Sequence, residues 1–279
     1  MRLMLLIGFL LLSAGRTQAA EVVQFPSATL PPTAFALRHL EKQDRMWTPP
    51  PVVEVTGYLD LPESDELLPA IVLLPDCDGY APVHPYSFAE WGYAVLAIDP
   101  HGARGLSPTC RGGSPMSASS MALDAQGALT YLAGRPEIDP DRIAVVGWGL
   151  GGEAALESVL RGGIAAPLRG SFAAAASFYP FCAFDGDFLV PSLILVGEAD
   201  EIAPPRLCRF MVKRVPEEAS EIDLVIYAGA GHGFDQTRFR EPAERDLGWG
   251  KHPLVYDPAA HEDAAQKLKG YLDRLLSSE

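Results

Sequence analysis

Three positions follow one another along the chain in the order nucleophile, acid and base. Gly149 is the centre of Gly147-Trp148-Gly149-Leu150-Gly151, and Asp200 and His232 follow it in that order. A strand, a sharp glycine turn and a helix around G-x-S-x-G make a nucleophile elbow. Such an elbow holds a Ser or Cys above a sheet, and an acid and a histidine come later in the chain. That constellation cleaves acyl bonds: the acid orients the histidine and the histidine activates the nucleophile. Here the nucleophile position holds a glycine. A plain strand-to-helix turn is the bland alternative for these five residues. A dinucleotide fingerprint, Gly147-x-Gly149-x-x-Gly152, is another, but it normally belongs to the first βα unit, and strand-like segments precede this one at Ala70 and Tyr93.

The elements around these residues are what the chemistry requires. Ile143 to Val146 is a short apolar run after the turn Asp139-Pro140-Asp141, hence a buried strand, and Glu153 to Leu160 has helical composition. Ala70 to Leu74, Tyr93 to Ile98, Ser171 to Phe178, Ser192 to Val196 and Asp223 to Tyr227 read as further strands, and Val52 to Leu61 as an edge strand. Helices are expected at Ser117 to Ala133, Pro204 to Val215 and Ala259 to Leu276, with a short one at Ser87 to Trp91. Alternation of this kind predicts an α/β fold, a mostly parallel sheet with helices on both faces. Chemistry in such sheets sits beyond the carboxyl ends of the strands. Asp200 follows the strand Ser192 to Val196 and His232 follows Asp223 to Tyr227, so both fall at that edge. Taken singly, Asp200 could be a helix cap and His232 a loop histidine. Their order and placement together with the elbow predict a triad site. His84 and His101 lie on loops at the same edge, whereas His252 and His261 are expected at the surface.

With 279 residues and 48% hydrophobic content, the chain can bury one large core. A formal net charge of -14 repels phosphate backbones, and no stretch clusters Lys and Arg, which argues against nucleic acid as a partner. Arg2, the apolar run Leu3 to Leu12 and the small residues up to Ala20 have the layout of a secretory signal. The run is short of the ~20 residues a membrane span needs. Cleavage near Ala19 or Ala20 would leave a periplasmic or secreted chain without a membrane partner. Residues 21–51, rich in proline, are expected to be an extended lead-in to a domain spanning 52–279. Export lets four cysteines pair, in three possible connectivities. Cys77 with Cys110 and Cys182 with Cys208 is favoured, and the absence of C-x-x-C spacing argues against metal.

The segments PAIVLLPDCDG, WGYAVLAIDPHGARG, DPDRIAVVGWGLGG, FYPFC, LILVGEADEIAP, YAGAGHGFD and VYDPAAHEDA resemble the dienelactone hydrolase family of α/β-hydrolases, in its exported, cysteine-bearing branch. The similarity runs from about Gly57 to Leu276. It implies an α/β-hydrolase fold, hydrolysis of small esters or lactones through Cys or Ser, no cofactor, and Asp200 and His232 as acid and base. Gly149 departs from that pattern. So does Pro75-Asp76-Cys77-Asp78-Gly79, where relatives carry something like His-Gly-Cys-Gly-Gly in the loop that supplies half of the oxyanion hole. The backbone N–H of Leu150 should survive as the other donor. Carboxylates at Asp76 and Asp78 are expected to oppose the developing anion.

Loss of a triad nucleophile costs on the order of 10⁶ in kcat. The reading favoured is therefore a catalytically impaired homologue that binds a small molecule or a partner in the old cleft. The rival is an active hydrolase in which His232, oriented by Asp200, activates water directly. Metal-assisted hydrolysis through Asp76, Asp78, His101 and His232 is a third route.

Overall fold

The computed structural model describes residues 20–277, apart from 82, 83 and 169. Nearly all of the expected signal therefore lies outside the described residues. Eight strands form one sheet: β1 (Glu21–Pro26), β2 (Glu54–Asp60), β3 (Leu68–Leu74), β4 (Ala94–Asp99), β5 (Ile138–Trp148), β6 (Ala174–Phe178), β7 (Ser192–Gly197) and β8 (Ile222–Tyr227). Their order is β1-β2-β4-β3-β5-β6-β7-β8. β1 and β2 are antiparallel to their neighbours, and β4 to β8 pair in parallel. This is the mostly parallel sheet of the α/β-hydrolase fold.

The central strands carry long apolar runs because both faces are covered. In β3, Val72 and Leu74 pack into one core with helices α2 (Ala118–Ala133) and α3 (Leu150–Glu157), while Ile71 and Leu73 pack into the other with α5 (Pro258–Leu276). α2 starts where the Ser117 hydroxyl accepts the Ser120 N–H, and α5 where the Asp257 carboxylate accepts the N–H groups of Ala259 and Ala260. α4 (Pro205–Val212) begins with proline in its first turn, where a missing N–H costs nothing.

Three local expectations are corrected, and one hairpin was not foreseen. Residues 21–51 are not simply extended: β1 pairs along β2, and a Thr33 cap starts α1 (Ala34–Glu41), which buries none of its residues. Ser87 to Trp91 forms turns rather than a helix, with Trp91 N–H reaching the carbonyls of Ser87 and Phe88. α3 ends at Glu157, three residues short of expectation, as the chain turns to send the Arg161 N–H to Asp187. A hairpin of β9 (Ala243–Asp246) and β10 (Lys251–Leu254) lies between His232 and α5, in a charged stretch with no apolar alternation to betray it.

The expected cystine pairs are present: Cys77–Cys110 with Cα atoms 5.0 Å apart, and Cys182–Cys208 at 4.9 Å. The first fastens two loops at the carboxyl edge of the sheet, and the second ties the loop after β6 to α4.

At that edge β5 runs into α3 with almost no space between them. A Cβ built on Gly147 would press on the Gly151 carbonyl and lie 2.8 Å from the Gly152 nitrogen. Gly147→Ala should therefore overpack the turn and cost about 1–3 kcal/mol, read as a lowered midpoint in urea unfolding.

Candidate active site

The elbow backbone is formed at Gly149. Its φ of 49° and ψ of -115° lie in a region that favours glycine, and it caps α3 with no side chain of its own. The Gly149 N–H is held by the Phe178 carbonyl at 3.0 Å. Beneath the turn lies a buried carboxylate, Asp235. It accepts the Trp148 indole N–H at 2.8 Å and the Tyr179 hydroxyl at 2.9 Å. Burial pushes its pKa up, opposed by those two donors. Tyr179 takes a left-handed φ of 40°, and its ring lies 4.4 Å from that of His232. One buried network thus ties the elbow strand to the histidine loop.

Asp200 and His232 meet. His232 Nδ1 is 2.8 Å from Asp200 Oδ2, and both residues are buried. The other Asp200 oxygen accepts the N–H groups of Ile202 and Ala203, each at 2.8 Å, so the acid is also fixed by its own loop. Burial acts to lower the His232 pKa, but the Asp200 and Asp76 carboxylates outweigh it and push the ring up to about 9.

Asp76 is where the structure departs most from expectation. Its carboxylate does not merely stand beside the expected oxyanion donors; it accepts them. Oδ1 accepts the Leu150 N–H at 3.0 Å and the Cys77 N–H at 2.7 Å. Oδ2 receives Arg245 at 2.7 Å and lies 4.0 Å from His232 Nε2. Burial would raise its pKa, yet the Arg245 guanidinium, then His232 and the Leu150 N–H, hold it well below the usual carboxylate range. A Cβ on residue 149 would collide with this carboxylate. Asp78 does not oppose an anion here. It turns away to Arg238 at 2.6 Å and Arg245 at 3.5 Å.

The cleft beside the turn has a volume of about 200 Å³ and is lined by Gly149, Leu150, Glu153, Tyr179, Phe181, His232 and Arg245, among others. Asp76 also walls a smaller chamber lined by Tyr80, His84, Trp148 and Arg238. His84 thus lies near the site, across Asp76 from the cleft. His101 is wholly buried, and neither ring nitrogen has a hydrogen-bond partner among the described residues. His252 is not a surface residue: it is only 8% exposed and meets Glu201 at 3.1 Å. His261 is half-buried, its Nδ1 2.8 Å from the Asp235 carbonyl oxygen.

A metal route through Asp76, Asp78, His101 and His232 finds no support in the geometry. The one grouping of potential ligand atoms among the described residues is Asp76, Cys77 and Cys110, and both sulfurs are in a disulfide. Sequence reasoning missed Arg245, Asp235 and Glu153. Asp235 sits in the quoted segment YAGAGHGFD, three residues past His232, and position alone could have flagged it. Nothing in Glu244-Arg245-Asp246 marks the arginine.

A parallel sheet with a strained turn at β5 and an acid–histidine pair after β7 and β8 defines the α/β-hydrolase class. The dienelactone hydrolase family profile matches residues 55–276, and the chain belongs to that family. It is 24% identical over 219 residues to a protein of Bradyrhizobium sp. described as a probable 2-oxo-3-(5-oxofuran-2-ylidene)propanoate lactonase, covering 72% of this chain and 87% of that one. Among solved structures, a dienelactone hydrolase-like promiscuous phosphotriesterase from metagenomic libraries superposes with a TM-score of 0.63 at 18% identity, covering 93% of this chain and 100% of the other. A thermophilic esterase from the planctomycete Thermogutta terrifontis gives 0.56 at 19%, over 81% and 90%. These two likenesses concern the fold.

The raised pKa of His232 has a consequence for stability. Its folded value of about 9 exceeds the ordinary 6.5, so the proton is held more tightly in the folded chain. The stabilisation is complete below about pH 6.5 and is lost as pH rises through about 9. Melting temperatures recorded from about pH 7 to pH 10 should fall more steeply for the parent than for His232→Gln, and the His232 ring should titrate near 9 by NMR.

Proposed function

We propose that this chain is a dienelactone hydrolase homologue that has lost ester cleavage and binds a small molecule in the cleft beside Gly149. One observation carries the reading: the Asp76 carboxylate already accepts the two N–H groups that would hold the anion of an acyl-transfer intermediate. A substrate carbonyl oxygen cannot take that place while the carboxylate is there, and Gly149 supplies no nucleophile. The direct-water route is weakened by His232 itself. With its pKa up at about 9, the ring is protonated at neutral pH and has no lone pair to take a proton from water. An ester or a lactone is the ligand class in keeping with the family and with the lactonase described above. The charge-then-apolar start, Arg2 and Leu3 to Leu12, supports a periplasmic or secreted setting, as do two cystines.

The test is restoration. Because a Cβ at position 149 meets Asp76, Gly149→Ser alone should recover nothing. Gly149→Ser with Asp76→Gly frees both N–H donors and places a hydroxyl near His232. Turnover of p-nitrophenyl acetate should then exceed the parent by at least about 10²-fold, the order of what one oxyanion donor contributes. Adding Asp78→Gly should change little, since Asp78 contacts neither N–H donor and has Arg238 and Arg245 as its partners. Folding is checked by circular dichroism. A parent that already matches the double variant, and loses its activity in His232→Ala, would sink the proposal and leave direct water activation in its place.

A further inference from the structure

Every basic side chain facing the cleft has an acidic partner. Arg245 is paired with Asp76 at 2.7 Å and also meets Asp78 at 3.5 Å, and His232 is paired with Asp200 at 2.8 Å. Glu153, on the first turn of α3, is the exception among the acids of the cleft. Its one hydrogen bond is from the Phe181 N–H, at 3.3 Å, and it has no ion-pair partner among the described residues. The charges that act on it, those of Asp76 and Glu157, are both negative. Burial, with those two charges, pushes the Glu153 pKa up to about 7, the mark of a carboxylate without a counter-cation, and a ligand can supply that cation.

The walls match such a ligand. Tyr179 and Phe181 line the cleft with Glu153. Phe181 also borders a neighbouring open groove whose other aromatic wall is Trp249, at the tip of the β9–β10 hairpin. Phe181 is 43% exposed and Trp249 70%, so both ring faces are open to a ligand. Glu198 and Glu201 along the same groove already have basic partners, Arg209 at 3.9 Å and His252 at 3.1 Å, and Arg206 lines it too, so Glu153 is the carboxylate left for a ligand. Aromatic faces next to carboxylates favour organic cations, because the ring quadrupole and the carboxylate attract the same charge. The chain's net charge of -14 draws cations and repels anions at longer range.

We infer that the ligand of this cleft carries an organic ammonium group seated at Glu153, with a flat apolar portion lying in the groove between Phe181 and Trp249. This rests on the binding reading above and adds the chemical class of the ligand. The cleft then distinguishes ligands by charge: an amine pairs with Glu153, a neutral isostere does not, and a carboxylate is repelled.

Three probes of one shape test it: phenethylammonium, 2-phenylethanol and phenylacetate, titrated by calorimetry and by Trp fluorescence at about pH 8, where an alkyl amine is protonated. The parent should bind phenethylammonium at least about 10-fold tighter than 2-phenylethanol, and phenylacetate most weakly. Glu153→Gln keeps the shape and removes the charge, so the preference for the amine over the alcohol should vanish. Trp249→Ala should weaken the amine and the alcohol alike. Equal binding of amine and alcohol by the parent, tightest binding of phenylacetate, or a preference that survives Glu153→Gln would each overturn the inference. Turnover of p-nitrophenyl acetate is read separately. An active parent with the amine preference overturns the loss of chemistry alone, and an inert parent without the preference overturns the cation seat alone.

Discussion

A single carboxylate, that of Asp76, joins the parts of this site that a hydrolase would keep separate. One oxygen takes the N–H groups of Leu150 and Cys77, and the other takes Arg245. Each contact depends on a different element. Leu150 N–H is presented by the start of α3. Cys77 N–H is held by the loop after β3, which the Cys77–Cys110 cystine fastens. Arg245 arrives on the β9–β10 hairpin, which Arg111 and Gly112 in turn secure through Asp246 and Leu247. A side chain at 149 would break the arrangement by collision. The glycine and the carboxylate are therefore two halves of one feature, and neither is explained without the other.

The same interaction decides the electrostatics. An oxyanion hole works because its dipoles are pre-aimed at charge that appears only in the transition state. Here they are aimed at a charge that is always present. The N–H groups are satisfied in the resting protein, so offering them to a substrate first requires expelling a carboxylate that Arg245 holds in place. Breaking a buried ion pair by loss of one partner costs about 3–5 kcal/mol, which is several orders of magnitude in any rate that depends on it.

The sheet could be read from the chain because its central strands are covered on both faces and so appear as unbroken apolar runs: Ile71 to Leu74, Ala144 to Val146, Leu193 to Val196. Asp200 and His232 were legible for a positional reason, since strand ends at a parallel sheet's carboxyl edge converge whatever the loops do. What escaped was set by partners distant in sequence. β1 is an edge strand with alternate exposure, and α1 rests on its Thr33 cap with nothing buried. Asp76 was visible as an acid beside an oxyanion position, and simple repulsion was the natural reading. Its sign reversed because Arg245, 169 residues later, neutralises it, and no local pattern foretells that contact.

Why an acid–histidine pair persists beside an absent nucleophile follows from counting charges. Asp76, Asp200, His232 and Arg245 form one buried chain of contacts, with Arg245 3.3 Å and Asp76 4.0 Å from His232 Nε2 and Asp200 2.8 Å from its Nδ1. With the ring protonated the four groups sum to zero. Replacing His232 by a neutral residue would leave two carboxylates facing a single guanidinium. Removing Asp200 would leave the imidazolium to Asp76 alone. In an active hydrolase the acid holds the ring ready to accept a proton. In this chain the Asp76 carboxylate helps to keep that proton in place, and on the function proposed above the pair acts as a counter-ion to Asp76. The folded state's own charge balance gives the pair a structural role whether or not it takes part in chemistry.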